Sequence, residues 1–326
     1  MEMLTSPAAP AKLYALLLRL RPLEAGTIMP FSGELVHAAW LEWVGAAAPD
    51  VAAMLHDGNR RRLFTCSGLL FPFSRQRALQ AEQEHIHLPL NPEKTYSVRL
   101  TLLLGELFPL FYSSLMHFNT AERGAMKQPF MRIGKQAFLL DEVISSPDDA
   151  SGWTGFTSFA ALARKAKAPR LSKSQLLTLE FDSLTTFNRM RPRGSRDDEQ
   201  GRTYGSHFAR LPLPEYVFPG LAKRWQELAP SELVGIVQKE RIERYIEDEG
   251  IVIEDYDLKT HQVQFAHHPQ RGFVGTCCYE LRGPDDETSA EAPLTVRQQL
   301  VLLAQLAFYC GVGYKSPMGM GRVRLV

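Results

Sequence analysis

The order of patterned segments constrains this fold more than any single motif. Lys12–Arg21 is an apolar, leucine-rich run that stops at Pro22 and reads as a strand, although its Leu-Leu-Leu core fits a helix equally. Ser32 precedes Gly33-Glu34-Leu35, an N-cap signal with an acid in the first turn. Val36, Ala39, Trp40, Trp43, Val44 and Ala47 then recur at helical spacing, and a short helical turn follows over Asp50–Leu55. Leu63–Phe71, Thr95–Leu104 and Arg132–Ile144 read as strands, with a helix at Phe108–Phe118. The order is β-α-β-β-α-β.

Residues 145–173 carry Ser, Pro, Gly, Asp and a basic run, and read as a connector with one short helix near Ser158–Lys167. The order then repeats. Gln175–Asp182, Val252–Lys259, Arg271–Leu281 and Gly319–Val326 are the strands; Pro214–Leu228 and Thr295–Tyr309 are the helices. The predicted fold class is therefore α+β: two tandem ferredoxin-like units over 1–145 and 175–326, joined by 146–174. The same sheet is the scaffold of RRM-type RNA binders, but a fold alone does not give a function.

Composition narrows the classes. Lys and Arg number 37 against 36 Asp and Glu, so nucleic-acid binding has to rest on local basic patches. Four cysteines without a C-x-x-C give neither a disulfide framework nor a zinc ribbon, which fits a reducing cytoplasm. No apolar run reaches the ~18 residues of a membrane span. The chain begins Met-Glu without a basic leader, so no signal peptide is expected.

The sharpest local signal is Gly311-Val-Gly313-Tyr-Lys315-Ser-Pro-Met-Gly319-Met-Gly321, between the last helix and the last strand. It holds four glycines where the chain average of 23 in 326 gives fewer than one. A helix cap and a bulge account for two of them. All four, with Lys315, Arg322 and Arg324 nearby, suggest a backbone that phosphate can approach closely. The loop is neither a Walker A motif nor a Rossmann turn.

This loop resembles that of the CRISPR repeat-RNA processing endoribonucleases of the RAMP superfamily, whose last helix runs into a Gly-x-Gly…Gly-x-Gly loop and a final strand. A second similarity is Leu55-His56, a basic turn, then Leu63-Phe64-Thr65. Further pieces lie at 179–187, 213–225 and 271–276, so the resemblance spans nearly the whole chain. It implies an endoribonuclease that needs no metal or other cofactor. The RNA's own 2′-OH attacks the adjacent phosphate, leaving a 5′-OH and a 2′,3′-cyclic phosphate. It also implies repeat RNA as partner, no membrane, and a CRISPR effector complex or a homodimer as open further partners.

Members place a catalytic histidine at the Leu-His, here His56. Several pair it with a tyrosine in the preceding helix and a lysine in the basic turn. Here those positions fall near Trp40-Leu41 and at Arg62, and arginine does not serve as an acid near neutral pH. His37 is the best substitute as second proton carrier, weighed against a histidine at the core edge. Arg60, Arg61, Lys315 and Arg322 supply charge for RNA, and Gly311, Gly313, Gly319 and Gly321 supply the backbone approach. The departures favour a rival reading, a non-catalytic RAMP subunit that binds repeat RNA. His85 and His87, and the group His261, His267, His268, Cys277, Cys278, match no metal template. The basic runs at 164–173 and 189–196 read as solvated surface or as tracks for an RNA backbone.

Overall fold

A computed structural model describes residues 12–56, 63–120, 130–168, 175–189, 207–266, 268–282, 286–289 and 292–326. The first half runs β1 (Lys12–Pro22), β2 (Gly26–Ile28), α1 (Gly33–Ala47), α2 (Pro49–His56), β3 (Phe64–Cys66), α3 (Arg75–Gln83), β4 (Leu88–Leu90), β5 (Tyr96–Leu102), α4 (Leu107–Thr120), β6 (Phe130–Ile133), β7 (Gln136–Ile144), β8 (Gly155–Ser158) and α5 (Phe159–Ala166). The main sheet is antiparallel in the order β3-β5-β1-β7-β6. Its four long-range partners, taken as second, third, first and fourth strands, give the ferredoxin-like arrangement.

The leucine run of β1 is explained by burial on both faces. Leu16 and Leu18 lie opposite Leu100 and Val98 in β5, on the face covered by α1 and α4. Leu13 and Ala15 point the other way and are equally buried. A strand covered on both sides needs no alternation, which is why it looked as much like helix.

Three segments differ from expectation. Arg132–Ile144 is a hairpin, with β6 and β7 pairing across a turn at Gly134-Lys135. Leu63–Phe71 keeps only three strand residues: at Ser67 the hydroxyl accepts from Arg99 N–H (2.8 Å) while Ser67 N–H donates to the Arg99 carbonyl, and backbone pairing returns only at Leu70 opposite Ser97. The connector donates β8 to the first sheet, where Ser158 faces Lys12 of β1. The Ser158 hydroxyl then accepts from Ala161 N–H and caps α5.

The second half runs β9 (Leu176–Thr185), β10 (Phe187–Arg189), β11 (His207–Ala209), α6 (Pro214–Leu228), α7 (Ser231–Val234), α8 (Lys239–Glu247), β12 (Ile251–Gln264), β13 (Pro269–Leu281), α9 (Val296–Cys310), a 3-10 turn (Ser316–Met318) and β14 (Val323–Leu325). The sheet order β12-β13-β9-β14 repeats that of the first unit. Thr295 and Gln298 close a capping box at the start of α9. That helix is buried almost all round, beyond the single stripe its sequence suggests. It serves two cores: it packs on α6 and β14, and it reaches β1, β3 and β5 of the first sheet. The two units therefore share α9 as a common wall.

Candidate active site

His56 is the last residue of α2 and is exposed. No residue of α2 is fully buried; Val51, Met54 and Leu55 only rest on the core. The basic turn that follows, with Arg60, Arg61 and Arg62, lies outside the described residues.

His37 sits on α1 with its ring stacked on Phe64 of β3, centroids 5.4 Å apart. Its Nε2 is buried and has no hydrogen-bond partner among the described residues. Its pKa is lowered to about 4, mostly by burial and in part by the neighbouring His56, with Glu34 opposing. His37 is thus neutral at pH 7 and close enough to His56 to sense its charge. The burial is that of a core-edge histidine, and the nearness to His56 is what a second proton carrier needs.

The glycine loop lies across the junction of the two units. Cys66 of β3 donates its thiol to the Pro317 carbonyl (2.7 Å). Gly319, at φ +88°, brings its backbone so close to α1 and β3 that a Cβ there would meet Gly33 Cα at 3.0 Å and Gly68 N at 3.1 Å. Gly313 is exposed at φ +83°, and a Cβ there would stand 2.4 Å from the Thr186 carbonyl oxygen. Gly311 and Gly321 also have positive φ, and N–H groups of the loop serve the fold: Val312 donates to Gly321, Tyr314 to Thr186 and Gly321 to Leu184. The loop's glycines thus have a structural cause in chain crossing and domain docking.

Lys315 and Arg322 differ in what they can offer. Arg322 is tied to Asp182, lies over the Trp153 ring and is mostly buried. Asp182 also meets Arg75 of α3 at 3.2 Å, so this carboxylate joins the units. Burial alone would raise the Asp182 pKa, but Arg322 and Arg75 outweigh it and hold the carboxyl below its usual range. Lys315 has its Nζ 3.6 Å from the centroid of Phe265 and 3.9 Å from Glu34 Oε1. Burial lowers its pKa and Glu34 opposes.

Glu34 is the residue that the sequence undersold. It reads as a first-turn acid, yet its carboxylate also accepts from Ala266 N–H at the tip of the β12–β13 hairpin (2.8 Å). It pins the start of α1 to the second unit, one turn from His37. Its partners lie more than 230 residues away, so no local spacing announces them. Ser32, expected to cap α1, instead accepts from Leu69 N–H (2.8 Å).

Two family models match this chain. "CRISPR Cas6 N-terminal domain" covers residues 12–164 and "CRISPR-associated endoribonuclease Cas6" covers 179–323. Together they take in both ferredoxin-like units. The chain belongs to the Cas6 family. A Cas6 solved as a product complex shares 23% identity over 98% of this chain and all of its own, with a TM-score of 0.68. A second Cas6 product complex shares 21% over 97% of this chain and 99% of its own, at 0.61. The Cas6 of Thermus thermophilus shares 21% over 98% of this chain and all of its own, at 0.60. At these identities the likeness is one of fold. No curated protein matches the sequence.

Membership in the Cas6 family makes this a CRISPR repeat-RNA processing protein of the RAMP type, an RNA endonuclease by family. Trp40, near the position where several members carry a tyrosine, is 1% exposed and packs on Phe64 and Phe111. It belongs to the core. Among the described residues no group of three His, Cys, Asp or Glu side chains could hold a metal, and no helix is long and apolar enough to cross a membrane. His261 bonds Glu82 Oε2 of α3 at 2.6 Å, and His267 lies outside the described residues.

Proposed function

We propose that the chain cuts CRISPR repeat transcripts by attack of the RNA 2′-OH, without a metal, and that His56 carries the proton. The O2′–P bond forms as the P–O5′ bond breaks. A proton leaves O2′ and one arrives at O5′, giving a 2′,3′-cyclic phosphate and a 5′-OH. Exposure of His56 at the end of α2, close to a neutral His37 and followed in the sequence by Arg60, Arg61 and Arg62, is the observation that carries this reading. A neutral His37 adds no charge of its own and leaves the field at His56 to the phosphate and the arginines. Its buried Nε2 fits a positioning role, through its stack on Phe64, better than contact with RNA. Arg60, Arg61, Arg62 and Lys315 would stabilise the dianionic transition state.

Trp40 in the core, where several members carry a tyrosine, favours the second reading, a subunit that holds repeat RNA without cutting it. One gel separates the two. Repeat RNA incubated with purified protein in EDTA should be cut, and a single 2′-deoxy substitution 5′ of the scissile phosphate should stop cutting while binding persists. Cleavage of the deoxy RNA would mean a water nucleophile. No cleavage of either RNA, with binding intact, leaves the holding subunit.

A further inference from the structure

A cleft lies where α3 of the first unit meets the β12–β13 hairpin of the second. It encloses about 310 Å³ and is lined by Gln83, His85, Arg210, His261, Gln262 and Arg271, with Thr260 at its edge. Its floor is a fixed bridge between the units: buried His261 holds Glu82 at 2.6 Å and faces Gln83 Nε2 at 3.3 Å. The lining side chains are polar or basic, and the Glu82 carboxylate beneath them is taken up by His261. Arg210 is exposed and has no ion-pair partner among the described residues. Arg271 has none there either; its Nε donates to Gln262 Oε1 at 2.6 Å, and its two Nη groups have no partner among the described residues.

In a chain of net charge +1, two guanidiniums with no carboxylate partner among the described residues, over one cavity, are a local preference for an anion. Planar forks suit phosphate, and the amides and hydroxyl suit a ribose or a base edge. The position adds a reason for a strand over a free ion. Phe265, the ring under Lys315, lies on the same chain three to five residues beyond Gln262 and Thr260. At ~3.3 Å per strand residue this is roughly 10–17 Å from the cleft. One nucleic-acid strand can touch both.

We infer that this cleft is a phosphate subsite for repeat RNA, in which Arg210 and Arg271 clamp the backbone of a single-stranded stretch away from the cleaved bond. The inference rests on the RNA-cutting reading above. Binding is measured with an uncleavable repeat RNA carrying the 2′-deoxy substitution, by fluorescence anisotropy across a salt series. The Arg210→Ala/Arg271→Ala pair should bind about tenfold or more weakly, since hydrogen bonds to charged groups are among the stronger ones. Its salt slope should fall by about one, each single-strand phosphate contact contributing ~0.7. Arg210→Lys/Arg271→Lys should restore most of the slope and less of the affinity, which separates a phosphate role from damage to the hairpin.

Equal RNA affinity and slope in the folded alanine pair would overturn the inference and leave the cutting reading intact. If inorganic phosphate or AMP binds wild type but not the alanine pair, and RNA affinity is unchanged, the cleft serves a free ligand and the RNA assignment is wrong. If wild type binds no repeat RNA, both readings fall.

Discussion

The end of α2 at His56 and the glycine loop both carry the family resemblance, yet they are built oppositely. His56 hangs from a helix with no fully buried residue. The glycine loop is wedged between two units, with its backbone bonded to β9 residues and its Pro317 carbonyl held by Cys66. The proposed role of His56 needs an exposed side chain at the edge, and the loop's place between the units needs a backbone held by bonds to both. The loop that stands out by composition is thus the joint, and the unremarkable Leu-His is the better candidate for chemistry. Substitutions in the two places should fail in different ways.

The largest expected effect is at the loose end. His56→Ala should lower cleavage by roughly 10²–10⁴-fold, the usual worth of one general acid or base. Affinity for the repeat RNA and the melting temperature should hardly change, because the side chain is exposed and touches no core. A variant that cuts at the wild-type rate would remove His56 from the mechanism. One that melts early would make the end of α2 part of the frame.

The next effect is at the joint and runs the other way. Asp182→Asn leaves Arg75 and Arg322 without their shared carboxylate, and breaking a buried pair of this kind costs about 3–5 kcal/mol. Asp182 is 12% exposed, so the lower end of that range applies. The loss should appear in denaturant melts, while the rate per folded molecule stays near wild type. Because the folded carboxyl titrates below its unfolded value of ~3.9, its contribution is complete above that pH and is lost as pH falls through the folded pKa. The wild-type advantage over Asp182→Asn should therefore shrink only in strong acid. Gly313→Val belongs with this class: despite its exposure, the left-handed backbone and the Thr186 carbonyl make it a folding defect before it is a binding defect.

The contrast also marks how far the sequence could be read. Element order carried the two ferredoxin-like units, and helical spacing marked Val36, Trp40 and Trp43 as core, because these signals are local. Arg132–Ile144 misled because a hairpin whose two arms both bury apolar residues resembles one long strand. The purpose of the glycines was hidden for a different reason. Their neighbours are Gly33, Gly68 and Thr186, brought in by domain docking, and composition alone cannot tell a backbone crossing from a phosphate cradle. Glu34 and His261 have partners in the other unit, and no spacing rule reaches them.

The smallest effect tests whether the two regions speak to each other at all. His37 lies between them, one turn from Glu34 and within electrostatic reach of His56. Its folded pKa of about 4 lies below the unfolded value of ~6.5, so between these two pH values the unfolded chain binds more protons and stability rises with pH. His37→Phe keeps the stack on Phe64 and removes the titration. At pH 7 it should leave stability nearly unchanged; at pH 4 it should be the more stable protein, by on the order of 2 kcal/mol once contact with solvent is discounted. Equal acid sensitivity in both proteins would show that another group sets the acid limb. Proton transfer by His37 itself would show as a large rate loss at constant affinity, against the near-normal rate expected of a positioning residue. Titrating His37 by NMR in the His56→Ala background closes the test. Removing the His56 charge should move the His37 pKa upward but leave it below the ordinary imidazole value, because burial is the larger cause and remains. No movement would mean that the two histidines are electrically independent, and the loose end and the joint would then be separate devices.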